Sequence, residues 1–374
     1  MIIIVLLLST IFLAYANGAN DNFKGVATLF GSGTTGYKKA LYWAAITTFL
    51  GSLAALFIST KLITVFSGKG LVPDALVNSA QFIISISLAA ALIVLIATLT
   101  GIPVSTTHSL TGALIGAGFV SVGTQINFHV LGNKFFLPLL ISPLIAAFLT
   151  LIIYPCFEFA RVKLRISRQM CLCIGEQVEP VNIQPDGTAV LKSTSVALSF
   201  DQLQHCRQHY NGKILGFDSQ KLLDTLHYLS AGLVGFARGL NDTPKIVVLL
   251  LGMKVFSLKG GIFIVASAMA VGGLLNAKKV ALTMSKKITK MNHGQGFTAN
   301  LVTAFLVLFA SRWGMPVSTT HICCGSLFGI GLMNKKANLA VIKRIILAWV
   351  VTLPLTAIFS GVIFYSIGHL GDVH

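Results

Sequence analysis

The hexapeptide Pro-Val-Ser-Thr-Thr-His occurs twice, at Pro103–His108 and at Pro316–His321. Each copy follows a Gly-x step (Gly101, Gly314) and lies inside an apolar run. An uninterrupted membrane helix has no place for this string. Proline lacks the amide hydrogen and clashes with the preceding turn, and in hydrocarbon every backbone group must find an internal partner. The repetition therefore predicts an internally duplicated membrane protein whose helices break twice, with a polar site built from matching halves.

Composition supports the membrane assignment. Hydrophobic residues make up 55 % of the 374 residues, charged residues only 10 %, and the mean hydropathy is +0.82; a soluble domain carries roughly 25 % charge. The length accommodates about ten spans of ~20 residues plus one aqueous segment. A net charge of +17 raises nucleic acid as a partner, but lysines and arginines gathered in loops are what orients a membrane protein, so nucleic acid is not an expected partner. The six cysteines contain no Cys-x-x-Cys spacing and predict neither a disulfide framework nor a zinc site. His205, Cys206 and His209 with Cys171 and Cys173 fit no zinc pattern either. The apolar start Met1–Ala16 has no basic n-region, and it reads as a retained first span rather than a signal peptide.

Apolar segments run at about 1–31, 40–60, 77–99, 102–122 and 135–157, then at about 226–252, 260–276, 297–312, 315–333 and 343–366. Between them lies a polar stretch, Glu158–Asp224, whose Gln177–Phe200 portion alternates polar and apolar residues as strands do; a helix is expected near Asp201–Gln208. Gly18-Ala19-Asn20-Asp21-Asn22-Phe23-Lys24 in the first segment answers to Gly239-Leu240-Asn241-Asp242-Thr243-Pro244-Lys245 in the sixth, both reading Asn-Asp-x-x-Lys. This motif recurs 221 residues on and the hexapeptide 213, a period of two large repeats, not of a solenoid. With the central segment in the cytosol, behind Arg161, Lys163, Arg165 and Arg168, the clusters Lys38/Lys39, Lys278–Lys290 and Lys335–Arg344 all fall inside. The positive-inside rule then puts both termini outside. An odd number of spans per repeat inverts the second half, an arrangement known from secondary transporters, whose substrate site lies at the repeat interface.

The expected fold is an all-α polytopic membrane protein: two inverted repeats of about five spans each with discontinuous helices, plus a small soluble central insert. The expected domains are a transmembrane repeat over 1–157, a cytosolic insert of β-containing character over 158–225, and an inverted transmembrane repeat over 226–374. The expected location is the plasma (inner) membrane.

Of eleven acidic residues, only Asp21 and Asp242 fall within apolar spans. Ionisable groups in a membrane are costly and by default functional; the competing account is an Asp–Lys pair three residues apart, neutralising itself on one helix face. In the hexapeptide, proline suits a first helical turn, and the hydroxyls then lie beside unpaired backbone amides, an arrangement that binds anions; the plainer account is a helix cap. His108 and His321 suit either a proton relay or a bond to a carbonyl. Arg238 and Arg312 have no basic counterparts at Asn17 and Leu99, and read as asymmetric packing or gating residues.

At these residues the chain resembles the inorganic phosphate transporters usually called PiT. Gly18–Asp21, Gly239–Asp242 and the two hexapeptides carry the resemblance, which extends over essentially everything but Glu158–Asp224. The resemblance implies inverted duplication, a central cytosolic loop and symport of phosphate with Na⁺ or H⁺. It implies that Ser105, Thr106, Thr107, Ser318, Thr319 and Thr320 line the phosphate site, and that Asn20, Asp21, Asn241 and Asp242 contribute there or at cation sites, with Na⁺ near these four and the two carboxylates as the coupling groups. Many family members continue Asn-Asp with Val-Ala-Asn-Ala. Here the continuation is Asn22-Phe23-Lys24-Gly25 and Thr243-Pro244-Lys245-Ile246. Lys24 and Lys245 either offset the charge of bound phosphate or occupy space that Na⁺ fills elsewhere.

No resident cofactor is expected, only a co-transported cation. Expected partners are inorganic phosphate, membrane lipids and a second copy of the chain. Two rivals follow from the same residues. One is a permease for sulfate or another tetrahedral oxyanion. The other is an intramembrane enzyme acting on lipid phosphate, with Ser105 as nucleophile and His108 as base one helical turn on.

Overall fold

The computed structural model describes residues 2–164, 170–183, 189–202, 217–252 and 256–371. Its main helices are α1 (Ile2–Asp21), α2 (Ala27–Ser32), α3 (Tyr37–Ile58), α4 (Ala80–Thr100), α5 (Thr106–Val122) and α6 (Leu137–Lys163) in the first half. The second half has α7 (Ser219–Leu251), α8 (Leu258–Asn276), α9 (His293–Trp313), α10 (Thr319–Met333) and α11 (Leu339–Gly371). Three strands lie between, β1 (Met170–Ile183), β2 (Ala189–Gln202) and β3 (Phe217–Asp218).

The chain divides into two compact units, one of residues 1–152 with 228–374 and one of 153–227. The smaller unit contains an antiparallel β1–β2 hairpin in register from Met170↔Gln202 to Ile183↔Ala189, with a bulge on either side of Val178–Pro180. The first residues of the expected helix, Asp201 and Gln202, belong to β2; residues 203–209, with His205, Cys206 and His209, lie outside the described residues, as do Arg165 and Arg168.

Among the described residues, seven helices are long and apolar enough to cross a bilayer, against about ten expected spans. The three that fall short do so for physical reasons. α5 and α10 have 17 and 15 residues, fewer than a span needs. α7 carries Asp224, Arg238, Asp242 and Lys245 along its length. Large apolar side chains such as Leu140, Leu144, Phe148, Val350, Ile358 and Val362 are exposed on the outside, as on an integral membrane protein.

The two halves interlock through glycines. A Cβ on Gly18 would lie 1.9 Å from the Met269 carbonyl oxygen, and one on its counterpart Gly239 would lie 2.1 Å from that of Thr48. In the same way Gly51 faces Phe236 O at 2.0 Å and Gly272 faces Tyr15 O at 2.0 Å. Hence α1 lies directly on α8, and α7 on α3, and all four contacts keep the 221-residue offset on both sides. The broken helices repeat the exchange: Gly116 of α5 faces Ala357 O of α11 at 1.8 Å, and Gly329 of α10 faces Ala147 O of α6 at 2.7 Å. Only a residue without Cβ allows backbones this close, the device by which membrane helices gain dispersion contacts where no hydrophobic force drives them together. The contacts thus come in pairs at matching positions of the two halves.

A methyl group at Gly116 must therefore separate α5 from α11. We expect Gly116→Ala to lower stability by about 1–3 kcal/mol, seen as a lower midpoint in thermal melts of detergent-purified protein. Gly132→Ala has nothing within 4 Å and is the control, changing stability by less than about 1 kcal/mol.

Candidate functional site

Both hexapeptides fold identically. α4 and α9 end in glycines of left-handed conformation, Gly101 (φ 74°, ψ 22°) and Gly314 (φ 74°, ψ 23°). The amides of Gly101 and Ile102 donate to Thr98 O and Ala97 O, and those of Gly314 and Met315 to Ser311 O and Ala310 O, the paired bonds of a Schellman termination. The chain then runs extended to Ser105 and Ser318, both at φ −100°, ψ 116°, where α5 and α10 begin. Pro103 and Pro316 thus stand in the extended break, not in a first helical turn as expected. The Schellman bonds end one helix and the serines start the next, which leaves proline the stretch where no amide is needed.

These breaks lie beside the Asn-Asp-x-x-Lys motifs. Asn20 Nδ2 donates to Ile102 O at 3.1 Å and to Thr98 Oγ1 at 2.9 Å, while its Oδ1 accepts from Val104 N at 3.1 Å. Asn20 falls near the middle of the apolar helical run Ile2–Ser32. α1 gives way to a 3₁₀ turn over Asn22–Val26, whereas α7 remains helical through Pro244, so only the first motif sits on an irregular backbone.

Two lysine knots tie the halves. Lys24 Nζ donates to Asn20 Oδ1 at 2.8 Å, Val104 O at 2.8 Å and, across the repeat boundary, Thr320 Oγ1 at 2.7 Å, and pairs closely with Asp21 Oδ1. Lys245 Nζ donates to Val317 O at 2.8 Å and Asp242 Oδ1 at 3.2 Å and, across the boundary in the other direction, to Thr107 Oγ1 at 2.8 Å. The two threonine hydroxyls in turn donate to Val104 O and Val317 O. The carboxylates and lysines do pair within their motifs, but each lysine also spends a hydrogen bond on the other half.

Between the knots lies a residue pair that sequence reasoning left out of the site. Arg238 Nη2 donates to Asn17 Oδ1 at 2.7 Å, Nη1 donates to Asn22 Oδ1 at 3.1 Å, and Nε stands 3.7 Å from Asp242 Oδ2 without a hydrogen bond of its own. Asn17 Nδ2 donates to Thr106 Oγ1 at 2.9 Å, Asp21 Oδ2 at 3.2 Å and Asp242 Oδ2 at 3.4 Å. Arg238 is therefore the centre of the cluster, whereas Arg312, read with it as an asymmetric packing or gating residue, is exposed. The signal was present in the numbering: Asn17 and Arg238 are 221 residues apart, and each stands four residues before its aspartate. Three cations meet two carboxylates, one formal positive charge in excess, and no residue of the cluster is more than 3 % exposed.

Among the remaining expected residues, the Ser105 and Ser318 hydroxyls accept from the amides of His108 and His321 at 3.1 and 3.2 Å, each capping its own helix. Thr106 points to Asn17 and Asp21. Thr319 accepts from Asn241 Nδ2 at 3.2 Å, and Asn241 Oδ1 accepts from Ser311. Six of the expected residues (Asn20, Asp21, Lys24, Thr106, Thr107, Thr320) thus share one hydrogen-bonded network with Asp242 and Lys245, and Thr319 and Asn241 join it through Val317. The His108 ring engages Trp349 O and the His321 ring Leu139 O, both at 3.2 Å, and the rings meet edge to face at 4.3 Å. Neither ring bonds to a serine hydroxyl, so the pairing of nucleophile and base that a lipid-phosphate enzyme requires is not formed.

The profile of the phosphate transporter family matches residues 17–360. The chain belongs to that family. Its members are transporters and not enzymes, and the chain is accordingly an integral membrane transport protein of the phosphate transporter family. It is 28 % identical to a provisionally named phosphate permease of Haemophilus influenzae, over 95 % of this chain and 94 % of the relative. It is 28 % identical to a protein of Bacillus subtilis provisionally named a low-affinity inorganic phosphate transporter, over 94 % and 92 %. A solved structure titled the sodium-dependent phosphate transporter superposes with a TM-score of 0.74 at 22 % identity, covering 98 % of this chain and 99 % of that one, which shows a shared fold.

Removing Arg238 leaves the buried oxygens of Asn17 and Asn22 without their donor, at about 1–3 kcal/mol each. We expect Arg238→Gln to lower the melting temperature of this transporter sharply, while Arg312→Gln, at an exposed position, changes stability by about 0.5 kcal/mol or less.

Proposed function

We propose that the protein imports inorganic phosphate across the plasma (inner) membrane by symport with a cation, H⁺ or Na⁺, through alternating access. The observation that carries this is the central cluster: hydroxyls, two helix starts and an arginine with an unused Nε–H, enclosed in apolar protein and bearing excess positive charge. Phosphate at neutral pH carries between one and two negative charges. Burying such an ion unpaired costs many kcal/mol, and entry works against an inside-negative potential at ~2.3 kcal/mol per charge per 100 mV. A carrier must therefore exchange hydration for donors and bring compensating positive charge. In this reading Thr106, Thr107, Thr319 and Thr320, with Asn20, Asn241, Lys24, Lys245 and Arg238, supply the donors. Ser105 and Ser318 fix the two helix starts, and Asp21 and Asp242 couple the cation.

The cluster is closed to both sides. Most of its groups satisfy one another, and so opening toward either side breaks the cross-half bonds of Lys24 and Lys245 and frees them for substrate. Rocking of two interlocked, inverted repeats about the cluster supplies that motion. In the same reading both termini lie outside, residues 158–225 form a cytosolic insert between repeats 1–157 and 226–374, and the apolar exterior meets lipid and a second copy of the chain.

The test is uptake of radiolabelled phosphate into proteoliposomes. Asp21→Asn and Thr106→Ala are each expected to reduce uptake about 100-fold, as loss of a buried charged or bonded partner of about 2.7 kcal/mol does; unchanged uptake would refute the site. Sulfate and arsenate serve as competitors. Uptake that follows sulfate and ignores phosphate would assign the cluster to another tetrahedral oxyanion.

A further inference from the structure

The ammonium groups of Lys24 and Lys245 sit in shells of converging oxygens, and around Lys24 there are more of them than an ammonium needs. Around Lys24 Nζ stand a carboxylate (Asp21), an amide oxygen (Asn20), a main-chain carbonyl (Val104) and a hydroxyl (Thr320) from the opposite half. That is four oxygens for three N–H donors. Lys245 Nζ has a carboxylate (Asp242), a carbonyl (Val317) and a hydroxyl (Thr107), again with the hydroxyl from the opposite half, and the Phe66 ring 5.6 Å away. Mixed carboxylate, carbonyl and hydroxyl oxygens converging on one point are the ligand set of a hard metal cation. Here each point is held by a charge that is covalently part of the protein.

We propose that Lys24 and Lys245 are tethered counter-cations, which take the places a dissolved alkali cation would need beside Asp21 and Asp242, so that this transporter works without Na⁺. A mobile Na⁺ in either shell would have to displace an ammonium bonded to three or four oxygens and then share a buried site with its charge. The tether also changes the economy of transport. A lysine neutralises phosphate while it is bound but is not released with it, so these two charges assist binding without drawing on a sodium gradient. Of the two cations named above, the driving ion is then the proton. The uptake arm of the test below rests on the phosphate reading; the melting arm does not.

The purified full-length protein is melted in NaCl and in choline chloride at equal ionic strength. Wild type is expected to melt identically in both. Lys24→Ala and Lys245→Ala open a shell and are expected to gain a Na⁺-dependent rise of roughly 2–4 °C. Lys24→Gln and Lys245→Gln, which keep the length of the chain and a polar end, replace any alanine variant that does not fold. In proteoliposomes under an imposed pH gradient, wild-type phosphate uptake is expected to be equal in Na⁺ and choline, and a variant that transports is expected to run about fivefold or more faster in Na⁺. A Na⁺-dependent melting shift or Na⁺-dependent uptake in the wild type overturns the proposal. So do folded variants of both lysines that ignore Na⁺ in melting. Loss of all phosphate uptake by the wild type, with the melting pattern as expected, refutes the phosphate reading and leaves the tethered cations standing.

Discussion

Two of the hydrogen bonds that cross between halves, Lys24 to Thr320 and Lys245 to Thr107, tie the polar centre of this molecule together. Each is anchored at the lysine end by an aspartate and at the threonine end by a helix start. An ion pair within one motif would have stabilised one helix. By sharing their ammonium groups with the other half, the lysines make each motif incomplete without its partner's hydroxyl. The polar interior is consequently a single network, in which desolvation is repaid only when both halves are assembled.

The glycine contacts serve the same end in the apolar part of the structure. α1 against α8 and α7 against α3 bring main chains together at distances that exclude a Cβ. This fixes the axial position of Asn20–Lys24 and Asn241–Lys245 to a fraction of a helical turn. Without that register the lysines would miss the carbonyls of Val104 and Val317, which are exposed only because the Gly101 and Gly314 terminations leave the following residues extended. Backbone breaks, close helix packing and ion pairing thus depend on one another.

Much of this was legible in the sequence because duplication converts tertiary information into spacing. The repeated hexapeptide announced the breaks, and the repeated Asn-Asp-x-x-Lys announced the buried charges. What escaped were features that depend on where two distant segments meet. Pro103 reads as a first-turn proline, since nothing local reveals that a Schellman pair and a serine cap divide the stretch differently. Arg238 read as an asymmetric packing or gating residue because its counterpart, Asn17, is not basic, and only the meeting of α1 and α7 shows that the amide of Asn17 receives the guanidinium. Similarly, α5 and α10 look like spans by hydropathy, and their shortness becomes evident only once their capped ends are located.

The glycine exchange has an evolutionary consequence. Positions that keep the 221-residue offset include both members of every α1–α8 and α3–α7 contact, whereas the offset shortens to 213 at the hexapeptides. The offset therefore changes between Gly51 and Gly101 and the matching stretch of the second half, which holds short helices at Thr60–Phe66 and Asp74–Val77 on one side and at Lys278–Leu282 on the other. A half-length ancestor pairing with its own copy would have made each of these contacts twice from a single gene position. Positions 17 and 238 show that matched positions need not carry matched residues: one side holds the donor, Arg238, and the other the amide oxygen of Asn17 that receives it.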